Sequence, residues 1–334
     1  MKITSSGDMA QSYAMQSRNS ALKVDIERLT LELSSGRVAD VRKAVSGNSA
    51  YLNDLERNLT RLDGFDLATN EARQFANGVQ TALSRMGDLN AGFRDSLLVS
   101  STSSLSESAS SLLHQAKTTL NDMISTLNTS VAGRSLFAGT AIDTAPIAPA
   151  AGLLSGLSAA VAGAGSVDDI MLSAQAWFDD PAGFGTIGYR GEDTALAPFP
   201  ISGNSSATFD LRGNDPGLRD LLKIYAIMAL ADDPALGLSA AQQGELFQKS
   251  LPGIVSAGGP IIELQAKVGF AESRIEGVAV RNSAERTTME VALNNLLAVN
   301  PYETATELEQ VQFQLQSLYA ITSRMSQLSL VNFL

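Results

Sequence analysis

Proline cannot donate a backbone hydrogen bond and breaks a helix interior, so its placement limits where long helices can run. Nine of the 10 prolines fall between Pro146 and Pro260, and the tenth is Pro301. The flanks, residues 1–139 and 261–334, are nearly free of breakers and read as long helices around a compositionally distinct insert.

The flanks carry apolar residues at alternating spacings of four and three, the seam of one helix packing along another. Near the N-terminus the seam is Met15, Leu22, Ile26, Leu29 and Leu33, with Asn19 as its polar member, and Ser34-Ser35-Gly36 ends it. A second run begins with Leu52, Leu55, Leu59 and Leu62. It drifts through Ala72 and Phe75 into Val79, Leu83, Met86, Phe93 and Leu97, with Asn90 in the series. A third holds Leu113, Leu120, Ile124, Leu127 and Val131. In the C-terminal flank the grid runs from Leu264 through Val268, Ala271, Ile275, Val278 and Asn282 to Glu285, Met289, Ala292 and Leu296. Asn300-Pro301-Tyr302-Glu303 then supplies an N-cap, a proline at the first helical position and an acid in the first turn. The last helix carries Leu308, Val311, Leu315, Leu318, Met325 and Leu328, followed by the apolar tail Leu330, Val331, Phe333 and Leu334.

These patterns predict a mainly α protein, a long antiparallel helical rod built from both ends of the chain around a small central α+β insert. Three parts are expected: a terminal layer (residues 1–45 plus 300–334), an inner layer (46–140 plus 260–299) and the insert (141–259). In the insert, Gly185 to Tyr189 and Ala207 to Leu211 read as short antiparallel strands, and Asp215-Pro216 starts a helix. The insert is expected on the outside of the rod, so that deleting Ile147 to Gly258 leaves the helices folded.

Composition excludes several functions. The 334 residues include 44% hydrophobic and 18% charged residues, so the chain is globular. A net charge of -11 argues against nucleic acid and against anionic membrane surfaces. Without cysteine, and with His114 as the one histidine, disulfides, thiolate zinc sites and multi-histidine metal sites are ruled out. The first thirty residues hold no apolar signal-peptide core, so the chain is expected to stay in the cytosol or leave by a route without a cleaved signal.

Chemical motifs are weak. Gly183-Phe184-Gly185-Thr186-Ile187-Gly188 fits GxGxxG, but a dinucleotide fingerprint needs a strand before it and a helix after it, and a turn-rich hairpin is expected here. The acidic pairs Asp168-Asp169, Asp179-Asp180, Glu192-Asp193 and Asp232-Asp233 read as caps and turns, since adjacent carboxylates point apart. Trp177 and Phe178 are expected in the insert core. No catalytic residue, cofactor or metal site is expected.

Three stretches carry a family resemblance. Leu33-Ser34-Ser35-Gly36-Arg37 after an amphipathic helix resembles the flagellin N-terminal signature. Gly133-Arg134-Ser135-Leu136-Phe137-Ala138-Gly139 resembles the GR-x-LF-x-G element of hook–filament junction members of the flagellin superfamily. The ending Ser326 to Leu334 is similar to the C-termini of the same proteins. Val38-Ala39-Asp40-Val41-Arg42 departs from the Asp-Asp-x-Ala-Gly element of filament flagellins, and Ala76 to Leu89 lacks their Gln-Arg-x-Arg-Glu-Leu run.

The resemblance implies a structural subunit exported through the flagellar type III apparatus to the outside of the cell, with an export chaperone as escort. It implies assembly with copies of itself, a second hook-associated junction protein and flagellin; the other family reading is a filament flagellin. The assembly residues expected on it are Leu22, Ile26, Leu29, Leu33, Leu308, Val311, Leu315, Leu318, Met325, Leu328, Leu330 and Phe333, with Gly133, Arg134, Leu136, Phe137 and Gly139 as the family motif. Val24, Leu31 and Phe313 lie off the seams and should remain exposed in a lone subunit.

Overall fold

In a computed structural model the chain is described for residues 4–41, 49–101 and 105–331. Five long helices come from the two flanks: α1 (Thr4–Ser35), α2 (Ser49–Ser101), α3 (Leu105–Leu127), α8 (Gly258–Leu297) and α9 (Pro301–Val331). Between them lie the hairpin β1 (Ser130–Val131) and β2 (Arg134–Ser135), then helices α4 (Ala150–Val161) and α5 (Val167–Asp179). A π-helical turn (Phe184–Gly188), a second hairpin of β3 (Phe199–Ser202) and β4 (Ser205–Ala207), and helices α6 (Pro216–Ala229) and α7 (Ala240–Ser256) complete the insert.

The expected helix boundaries rest on local chemistry. Gly36 adopts φ +69°, and its N–H returns to the Glu32 carbonyl at 2.8 Å, so α1 closes on a left-handed glycine. Asn300 opens α9: its side-chain oxygen accepts the Tyr302 N–H at 3.1 Å, and Pro301 takes the first helical position.

Contacts divide the chain into two compact units, residues 1–63 with 283–334, and residues 64–282. Composition suggested three parts, with residues 141–259 apart from the helices that flank them in sequence. The second unit instead holds one continuous apolar core, to which α2 gives Val79, Leu83, Met86 and Phe93, α3 gives Leu120 and Met123, and the insert gives Leu153, Phe178, Leu221, Tyr225 and Phe247. Helix α3 packs on α6 and on α7. Phe75 of α2 sits 5.0 Å from the Phe209 ring and 5.8 Å from Phe199, and Phe93 meets Tyr225 edge-on at 5.1 Å. The insert is therefore not an outer decoration.

Asn90 and Asn282 in the apolar seams, and Asn128 just past the end of α3, anchor this packing. Asn90 is 3% exposed; its amide nitrogen donates to the Ile254 carbonyl at 3.0 Å, and its oxygen accepts the Tyr225 hydroxyl at 3.1 Å. Burial pushes the Tyr225 hydroxyl pKa up, which keeps it protonated as that donor. Asn282 donates to the Ile201 carbonyl at 2.8 Å, and Asn128 pairs with both the N–H and the carbonyl of Ile147. A polar residue in an apolar seam is costly unless satisfied, so these bonds admit one alignment of helix and insert.

Several local expectations are corrected. Val131 belongs to β1 rather than to a helix, because α3 ends at Leu127. Of the expected strands, residues 185–188 lie in the π-helical turn and 208–211 are not strand; β3 pairs with β4 instead, Phe199 opposite Ala207. The GxGxxG is no hairpin either. A side chain at Gly183 would strike the Trp177 carbonyl and one at Gly188 the Phe184 ring, so these glycines serve close packing. Helices α4, α5 and α7 have no counterpart in the reading of the sequence, although Ser166 caps α5 before Asp168-Asp169, and Ser239 with Gln242 forms a capping box on α7.

Deleting Ile147 to Gly258 behind a short linker should abolish the cooperative melt of residues 64–282, because Phe75, Phe93, Leu120 and Met123 lose their partners at ~1.5–3 kcal/mol each. Circular dichroism and size-exclusion chromatography read this, and a helical, cooperatively melting monomer would count against the shared core. Tyr225→Phe should cost ~1–3 kcal/mol by leaving the Asn90 oxygen unpaired. At about 2–4 °C per kcal/mol for a unit of this size, calorimetry resolves it, and an unchanged melting temperature would deny Asn90 its anchoring role.

Candidate functional site

The first unit is built on α1 and α9, which lie antiparallel. At one end the Gln11 amide nitrogen reaches the Met325 sulfur at 3.8 Å. At the other, Arg37 bridges Ala298, the Val38 N–H donates to the Leu297 carbonyl at 2.9 Å, and the Val299 N–H donates to the Gly36 carbonyl at 3.1 Å. Residues 314 apart in sequence at one end, Gln11 and Met325, are thereby neighbours. These ties place Leu22 level with the turn containing Phe313, and Leu29 with that of Thr306. A small cluster of Leu52 and Leu297, with Val38, Val41, Leu293 and Leu296 against it, closes the Arg37 end.

Two helices in contact can bury one seam each. Among the described side chains of α1 only Leu22, Leu29 and Glu32 are buried, and on α9 only Thr304. Of the expected assembly residues, Ile26, Leu308, Val311, Leu315, Leu318 and Met325 are half-buried along the pair. Leu33 is a correction: it is exposed, because the buried place at the end of α1 goes to Glu32. That carboxylate accepts the Ala39 N–H at 3.0 Å and pairs with Arg28 at 3.0 Å, holding the turn after Gly36. The Leu328 and Leu330 side chains and all of Phe333 lie outside the described residues.

The remaining faces carry apolar groups in water. Val24 and Leu31 are exposed, as is Phe313 at 69% of its surface, in line with their off-seam spacing. Sequence reasoning missed Met9, Tyr13, Tyr302, Tyr319 and Ile321, which are exposed on the same two helices. Their signal was the count of apolar residues on α1 and α9, larger than one seam can use.

The family motif serves packing. Ala132 and Gly133 both have positive φ, 51° and 78°, forming the two-residue turn between β1 and β2. Leu136 and Phe137 then enter the core at 1% and 0% exposure. The Phe137 carbonyl accepts the Gly213 N–H at 2.8 Å, and the Ala138 carbonyl accepts the Glu192 N–H at 2.9 Å. Gly139 has φ +62°, and an added methyl there would strike the Glu192 and Thr194 carbonyl oxygens. Arg134 lies 5.9 Å over the Phe199 ring and 3.8 Å from Glu71. Tyr189 closes the junction, its hydroxyl donating to the Glu192 carbonyl at 3.0 Å, with its pKa pushed up to about 12 by burial.

The other candidates are paired or packed within the chain. A cavity of about 310 Å³ among α5, α6 and α7 is lined by Met171, Ile224, Ile227 and Pro260, with Lys223 and Lys249 at its rim. Both ammonium groups are already held, Lys223 by Asp220 at 2.8 Å, and Lys249 by Asp168 at 2.7 Å and Glu245 at 2.9 Å. Donation to those two carboxylates raises the Lys249 pKa. Asp233 is lowered by the Ser158 hydroxyl, which donates to it at 2.6 Å. Trp177 packs edge-on against Phe178 at 5.1 Å, and His114 is exposed on α3. Among the described residues no His/Cys/Asp/Glu group could hold a metal ion, and no helix is long and apolar enough to cross a membrane.

Residues 254–334, which span all of α8 and α9, match the bacterial flagellin C-terminal helical region. The C-terminal arm is flagellin-like. No curated protein matches the chain. Among solved structures, the fold is similar to that of a candidate flagellar hook-associated protein from Vibrio parahaemolyticus, with a TM-score of 0.52 and 13% identity, over 75% of this chain and 97% of that one. At this identity the likeness is one of fold.

Gly139→Ala should cost at least ~2 kcal/mol, combining the left-handed backbone penalty with the clash on two carbonyls. A thermal melt measures it. A variant as stable as the parent would show that the motif loop is free to move.

Proposed function

We propose that the chain is a structural, non-enzymatic component of the bacterial flagellum, a hook–filament junction subunit that assembles through its terminal helices. The observation that carries this reading is the pairing of α1 with α9, which leaves Val24, Leu31, Phe313 and their neighbours in water. Each such side chain gains ~1.5–3 kcal/mol on full burial, while ordering a helix costs ~1.5 kcal/mol per residue. A two-helix layer is therefore marginal alone, and neighbouring subunits supply the missing apolar faces. The flagellin match over residues 254–334 supports this, since it takes in α9 entirely.

On this reading the partners are copies of the same chain, a second hook-associated junction protein and flagellin. The route is unfolded export through the flagellar type III apparatus, with a chaperone as escort, to a place outside the cell. Seam residues Leu22, Ile26, Leu29, Leu308, Val311, Leu315, Leu318 and Met325 align α1 with α9, and the tail at Leu328, Leu330 and Phe333 extends the assembly surface. The second reading, a filament flagellin, draws on the same C-terminal match. Immunogold labelling separates the two: label confined to the hook end fits the junction subunit, and label along the whole filament fits flagellin.

Leu315→Asp places a carboxylate on the α9 seam, half-buried against α1. Burying it unpaired costs several kcal/mol, so incorporation should fall by about 100-fold or more, at 1.4 kcal/mol per factor of ten. The main thermal transition, carried by residues 64–282, should stay close to that of the parent. Cells making the variant should shed filament subunits into the medium. Normal filaments on those cells would rule out α9 as the assembly surface.

A further inference from the structure

We draw no further inference here: the strongest candidate, the exposed outer face of α8 at Ile262, Phe270 and Val280 in the second unit, carries nothing because no feature of the structure shows what covers it.

Discussion

A pair of helices can remove only one stripe of each from water, and the terminal unit is governed by that limit. Over the described side chains of α1 and α9, four residues are buried, one of them a glutamate and one a threonine. The alignment rests on ties at the two ends, Gln11 with Met325 and Arg37 with Ala298, and on the half-buried seam between them, rather than on a closed core. The apolar residues left over are too many for a free surface and too few to close a core within one chain. Burial of such residues is the main favourable term in folding and in association alike. On the proposed reading, self-association of these helices answers the same shortage of buried surface.

Residues 64–282 solve the opposite problem. Here the apolar core is continuous, and specificity comes from polar groups set within it. Asn90 and Asn282 each reach a backbone carbonyl of a distant segment, and a slip of one helical turn would strand a buried amide. The GR-x-LF-x-G loop adds a second kind of constraint, since its backbone is joined to the Glu192–Thr194 and Arg212–Gly213 segments by ladder-like bonds. A continuous core and a two-helix unit with apolar groups left in water are thus written into one chain by different residue chemistry.

The long helices were legible because their signals are local: breaker-free stretches, four-three spacing, a glycine closing α1 and an Asn-Pro opening α9. The exposed Val24, Leu31 and Phe313 were legible from the same spacing. The α+β character of the insert and its helix at Asp215-Pro216 were legible too, but its place in the core was not, because that is set by contacts such as Phe75 with Phe209, which no window of sequence contains. Helix α4 is mostly alanine, glycine and serine between its leucines and has no side-chain cap, and α7 is rich in glutamine, although Ser239 and Gln242 box its start. Asn90 and Asn282 stood out as polar members of apolar seams, yet only the fold supplies Tyr225, Ile254 and Ile201 as their partners. At Leu33 the spacing pointed inward, but the chain turns at Gly36 and Glu32 takes the buried position.

Hydrogen exchange by mass spectrometry, on the free subunit and on the assembled flagellum, tests most directly whether the terminal helices are completed by neighbours. In the free subunit, amides of α1 and α9 should exchange through local opening at low cost, while those of α2 and α3 near Leu83 and Leu120 exchange only on global unfolding. On assembly, protection of α1 and α9 should rise to that of the core. Equal protection of α1 and α9 in the free and assembled states would contradict the account, because it would show a terminal layer already complete within one chain.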